Sequence, residues 1–197
     1  MATISIADGK GAETLLHALS DQLWLRREHF SLVVVGGSAL LVLGLISRAT
    51  RDVDVIAILD GEKLRSATPL PVALHEAART VARDFGLPED WLNPGPTSLL
   101  DFGLPDGFYN RGVPRNYGSG LRVLFASRLD QIHLKLYATV DQGAGKHLTD
   151  LEALEPTESE LLEAAHWSET HDPSQGYRSV LTTVLAHFGI DDENLDI

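Results

Sequence analysis

Leu32-Val-Val-Val-Gly36-Gly37-Ser38-Ala-Leu40 and, after a short link, Arg48-Ala-Thr50-Arg51-Asp52-Val53-Asp54-Val55-Ile56 decide how this chain is read. Ser31 to Val35 is short, apolar and β-branched, the composition of a buried strand. Gly36-Gly37 breaks it, and Ser38 is placed to cap a helix running from Ala39 to about Leu45. That helix is apolar almost all round, so it should be buried on most sides. A strand that feeds a glycine pair leaves backbone N–H groups pointing forward, and glycine lets a phosphate come close. Fourteen residues separate Gly37 from Asp52. Asp52 and Asp54 then stand at i and i+2 at the head of a second strand, Val53 to Leu59, ended by Asp60-Gly61. Strand alternation puts both carboxylates on one face and sends Val53 and Val55 into the core. Two adjacent carboxylates repel unless a cation lies between them, and hard oxygen ligands suit Mg²⁺, with Mn²⁺ as the alternative. Phosphates on the glycine turn and a cation on the acids would let a metal bridge phosphate oxygens and activate an incoming hydroxyl.

Outward from this segment, Glu13 to Phe30 has Leu15, Leu16, Leu19, Leu23 and Leu25 near one side and reads as an amphipathic helix. Val72 to Phe85 reads as another, running into Gly86-Leu-Pro88. Residues 86–120 are rich in Gly and Pro, and within them only Thr97 to Phe102 looks strand-like. Leu121 to Phe125 is a strand. Ser127 then opens a helix whose Leu129, Ile132, His133, Leu136, Tyr137 and Val140 follow helical spacing. A glycine break at Gly143 and Gly145 precedes a shorter helix at Asp150 to Leu154. Thr157 with Glu160 forms a capping-box pattern, and Tyr177 to Phe188 makes the last helix. The expected architecture is α/β (α+β): a small mixed sheet flanked by helices, with its core and N-terminal helix over 1–126. A C-terminal helical part follows over 127–190, then an acidic tail over 191–197.

Composition narrows the function classes. The chain has 197 residues, no cysteine and a net charge of −12, so disulfides and Cys-ligated zinc are excluded. No apolar stretch reaches the length of a membrane span and no basic start precedes an apolar run; a cytoplasmic protein without a membrane partner is expected. Residues 147–197 hold twelve acids against Arg178 alone, whereas the first 146 residues are nearly balanced with sixteen acids and fifteen bases. Between Arg111 and Lys146 six bases face two acids, a locally basic segment that can meet phosphate or simply be solvated. The acidic C-terminal quarter argues against broad nucleic-acid binding. His166 and His171 lack a third ligand for zinc, and Trp24, Trp91 and Trp167 read as packing residues.

The pattern of glycine turn and Asp-x-Asp resembles the signature of the nucleotidyltransferase superfamily. The form Arg48-x-Thr50-x-Asp52-x-Asp54 is particularly similar to the bacterial AbiEii-type group of toxin–antitoxin and abortive-infection systems. Ser127-Arg-Leu-Asp-Gln-Ile-His-Leu-Lys135-Leu-Tyr-Ala138 and Asp150-Leu-Glu-Ala-Leu154 are similar to that group's Leu-x-x-x-Lys-Leu-x-Ala helix and following Asp-Leu pair. The resemblance implies that Asp52 and Asp54 bind metal and that Gly37 and Ser38, beside Gly36, hold phosphate. It implies that Lys135 balances nucleotide charge and that Asp150 is an additional acid. The superfamily often carries its third carboxylate on a later strand, which makes Asp101 a rival to Asp150. Lys135 lies opposite its helix's apolar stripe, a position that fits either solvent or a cleft. Arg48 and Arg51 can steer phosphate or pair with the two acids, Thr50 can fix the turn, and Arg111 is a further substrate contact. The function implied is metal-dependent transfer of a nucleotidyl group from a nucleoside triphosphate to a hydroxyl. RNA, tRNA included, is one acceptor, and a cognate antitoxin a protein partner. A non-catalytic nucleotide- or partner-binding member and an antibiotic-modifying transferase are the alternatives.

Overall fold

The apolar runs and glycine breaks form two compact units, Met1–Ser127 and Arg128–Ile197, in a computed structural model that describes residues 5–61 and 63–190. The acidic tail expected over 191–197 lies outside the described residues.

In the first unit Asp8 accepts a hydrogen bond from the Gly11 amide at 2.8 Å and so starts helix α1 (Gly9–Leu25) before the expected Glu13. The helix ends at Leu25 rather than Phe30, because Arg27 turns the chain with φ 59°. Leu15, Leu16, Leu19 and Leu23 are buried as the spacing predicts, but Leu25 is exposed. Strand β1 (Phe30–Val35) follows and leads directly into α2 (Gly36–Val42). Next come β2 (Val53–Asp60), β3 (Lys63–Arg65), α3 (Val72–Phe85) and β4 (Leu92–Asn93). After a 3-10 helix (Gly95–Asp101) the unit closes with α4 (Phe108–Arg111), β5 (Val113–Asn116) and β6 (Leu121–Phe125).

The strands make one mixed sheet in the order β3-β2-β1-β6-β5, with β4 on the free half of the β2 edge. β1 is its buried centre, antiparallel to β2 and parallel to β6. α1 packs on α2, α3 and β6, and α2 on β1 and β2. Leu16, Leu19, Leu32, Val34, Val53, Val55, Leu74, Trp91 and Phe125 share the resulting core.

Three readings of this unit change. Thr97 to Phe102 is not a strand but the 3-10 helix and its cap. Pro94 and Pro96 flank Gly95 and remove amide donors that a ladder needs, so the local β-preference loses. Thr97 is buried and pins the turn to the sheet, donating to the Ile56 carbonyl at 2.6 Å and accepting from the Ala67 amide at 2.9 Å. Trp24 is 62% exposed, unlike Trp91, which is fully buried and donates Nε1–H to the Ala78 carbonyl at 2.9 Å. The loop-rich stretch holds β4, α4 and β5, elements too short to show a period.

The second unit is helical: α5 (Arg128–Gln142), α6 (Lys146–Ala153), α7 (Glu158–Glu169) and α8 (Gln175–His187). α5 packs against the other three, burying Ile132, Leu136 and Val140 together with Leu151, Leu161, Leu181 and Leu185. The capping box that opens α7 is fully formed. The Thr157 amide donates to Glu160 Oε2 at 2.8 Å, and the Glu160 amide donates to Thr157 Oγ1 at 3.3 Å.

Candidate functional site

The register between β1 and β2 shifts by one at Val33/Val34, leaving Ile56 as an extra residue on β2. This β-bulge has two consequences. It frees the Ile56 carbonyl to receive Thr97, and it brings Asp54 opposite Val35, where an unbroken count would set Val55. Val35 is the last residue before the glycine pair. The acid is therefore delivered to the turn.

Gly36 has φ 73°, and a Cβ there would run into Asp54 Oδ2. A Cβ on Gly37 would meet Thr50 Oγ1 at 2.9 Å and Arg48 Nη2 at 3.5 Å. Only glycine permits such approach at either position. Thr50 is held by a two-way backbone bridge to Ile6 (Ile6 N–H to Thr50 O 2.7 Å, Thr50 N–H to Ile6 O 3.0 Å). Its hydroxyl donates to Asp52 Oδ1 at 3.4 Å, a long contact. Asp54 is held more firmly, by Asn93 Nδ2 at 2.8 Å from Oδ1. Val53 and Val55 are fully buried while both acids stay half-buried, as alternation requires.

Ser38 is not a helix cap. α2 starts at Gly36 with Val35 as its cap residue, so Ser38 falls inside the first turn. Its side chain is 1% exposed and its Oγ has no hydrogen-bond partner. A buried hydroxyl without a protein partner costs free energy, roughly 1–3 kcal/mol, a cost that a bound water, ion or ligand atom would offset. The turn, Thr50, Arg48, Asp52 and Asp54 thus come together in one unit, with Arg51 exposed beside Asp52.

Lys135 and Asp150 lie in the second unit and meet each other there, Nζ to Oδ2 at 2.7 Å, with side chains 6% and 1% exposed. The solvent-exposed alternative for Lys135 is therefore overturned, and its position off the apolar stripe reflects a buried ion pair. Asp101 is exposed at the end of the 3-10 helix. Among the described residues no three of His, Asp and Glu come together in a metal-ligating group. Within the locally basic segment Arg115 pairs with Glu13 at 2.6 Å, Arg128 with Glu160 at 2.6 Å, and Lys135 with Asp150. The Arg128 hydrogen bond holds the Glu160 carboxyl below its ordinary range.

Asn93 was missed in the sequence because β4 is only two residues long. The visible signal is Trp91-Leu92, an apolar pair, just before the Asn-Pro-Gly turn.

A mixed sheet that presents a glycine turn to an Asp-x-Asp strand defines the class expected of a nucleotidyltransferase-like domain. Residues 14–154 match the family described as nucleotidyltransferase of unknown function (DUF6036), and the chain belongs to that family. Neither the curated proteins nor the solved structures hold a match to it. No described helix is long and apolar enough to cross a membrane.

Proposed function

We propose that this protein is a metal-dependent nucleotidyltransferase that moves a nucleotidyl group from a nucleoside triphosphate to an acceptor hydroxyl. The observation that supports it most is the convergence of Asp54 on Gly36 beside the unpartnered, buried Ser38 hydroxyl. The donor set suits Mg²⁺ or Mn²⁺: two carboxylates are what magnesium commonly takes from protein when substrate phosphates supply the rest. Asp52 and Asp54 would hold the ion, which when bound supplies charge neutralisation between phosphate oxygens. Gly36 and Gly37 admit the phosphates, Ser38 offers its hydroxyl to one of them, and Arg48 and Arg51 add positive charge at the turn. The acceptor oxygen forms a bond to the α-phosphorus as the bond to the β-phosphate oxygen breaks. Pyrophosphate leaves with that electron pair, and a carboxylate of the pair takes the hydroxyl proton.

By resemblance alone Lys135 would balance nucleotide charge and Asp150 would be an additional acid, roles with which their mutual ion pair competes. The AbiEii-type likeness of Arg48-x-Thr50-x-Asp52-x-Asp54 favours RNA, tRNA included, as acceptor, in a cytoplasmic toxin controlled by a cognate antitoxin. The lack of a three-acid group among the described residues favours a second reading, a nucleotide- or partner-binding member without catalysis. Incubation with Mg²⁺, each labelled triphosphate and total RNA separates the two. Labelled RNA that disappears in Asp52→Ala supports transfer; binding without labelling leaves the second reading standing. Label on a small hydroxylated antibiotic instead would redirect the acceptor.

A further inference from the structure

We propose that Asn93 sets the cation capacity of the acidic pair, a reading that rests on the transfer function above. β4 runs parallel to β2 in the register Val53↔Leu92 and Asp54↔Asn93. Paired residues on neighbouring strands share a face of the sheet, so Asn93 occupies the one strand position that flanks Asp54 on the side away from β1. Its amide cannot turn freely. The Gly95 amide donates to Asn93 Oδ1 at 2.9 Å, which leaves Nδ2 to donate to Asp54 Oδ1 at 2.8 Å. A cation is thus offered no oxygen from this neighbour, and the acid pair gains no third negative charge.

The consequence is chemical. A carboxylate at this register would make three acids on one face, enough to hold a divalent cation before any nucleotide arrives. With a neutral donor there, Asp54 keeps one orientation and the two acids hold an ion well only when phosphate oxygens complete its shell. Asn93 is a positioning residue for Asp54, and it makes cation uptake conditional on the triphosphate.

Mn²⁺ binding, counted by electron paramagnetic resonance, tests this without any turnover. The chains compared are wild type, Asn93→Asp, and Asn93→Asp combined with Asp54→Asn, each with and without inorganic tripolyphosphate. Thermal melting in the presence and absence of Mn²⁺ monitors folding. Wild type should take up close to one ion per chain, and only with tripolyphosphate. Asn93→Asp should bind Mn²⁺ alone at least about tenfold more tightly, since each added carboxylate ligand raises affinity for a hard cation, and should melt later with Mn²⁺ than without. The double variant, back to two acids, should lose that gain. A folded Asn93→Asp chain with wild-type Mn²⁺ affinity overturns the role of Asn93 alone, as does one that stays unfolded at saturating Mn²⁺. Wild type that binds no Mn²⁺ even with tripolyphosphate overturns both this role and the transfer reading.

Discussion

Charge is handled in opposite ways by the two units. In the first, Asp52 and Asp54 stay half-buried around a turn where Ser38 Oγ has no partner. In the second, Lys135 and Asp150 sit almost wholly out of water and satisfy each other at 2.7 Å. An unsatisfied group next to like charges is a poor device for stability and a good one for holding a ligand. A closed ion pair stabilises against its own removal. Polar residues of similar type therefore carry different consequences, and substitution should tell them apart.

The largest effect is expected in the second unit. Asp150→Ala leaves the Lys135 ammonium buried without its acid and should cost about 3–5 kcal/mol of stability, read from urea unfolding. Replacing both, Lys135→Met with Asp150→Leu, should recover most of that loss; if it does not, the pair is not what the stability rests on. In the first unit Asp54→Ala should lower nucleotidyl transfer at least about 100-fold, because even groups that only support metal ligands cost 10–100-fold when removed. Gly36→Ala should cost about 2 kcal/mol or more, from positive φ and from a Cβ against Asp54, and should damage transfer as well.

Ser38→Ala is the sharpest contrast between the units. With no protein partner to lose and an unsatisfied buried hydroxyl removed, the fold should not be destabilised and should gain up to about 1–3 kcal/mol, while tripolyphosphate binding weakens roughly tenfold, the value of one hydrogen bond to a charged group. A destabilised Ser38→Ala protein would show that the hydroxyl is structural, and the contrast would fail. A further effect concerns pH and shows only under alkaline conditions. Burial, then the nearby Glu13 charge, pushes the Tyr117 hydroxyl up from 10.0 to about 12. A raised folded-state value means stability is fully present below pH 10 and lost as pH rises towards 12. Tyr117→Phe should flatten that alkaline loss in an unfolding series.

Much of this was legible before any coordinates. Val72–Phe85 and Leu121–Phe125 have the expected bounds, because Gly86 ends the helix in the left-handed conformation and Gly120 and Ala126 flank a mostly apolar strand. The Thr157–Glu160 box was readable since both halves of its hydrogen bonding lie within four residues. What stayed hidden involves partners far apart in the chain. β4 is two residues long, so its pairing with β2 leaves no periodic trace, and Asn93 reaches Asp54 across 39 residues. Whether Lys135 faced solvent or a cleft stayed open because a helical wheel records only its own helix and not the acid on α6.

From the sequence alone came the long helices, strands β1, β2 and β6, the glycine turn and the one-face pair of acids, because each depends on spacing between near neighbours and on backbone conformations that only certain residues adopt. Tertiary structure decided which groups were left with partners. Long-range pairing joined Lys135 to Asp150 and Asn93 to Asp54, and a bulge at Ile56 brought Asp54 to Gly36. Those outcomes depend on register and burial, which local sequence does not carry.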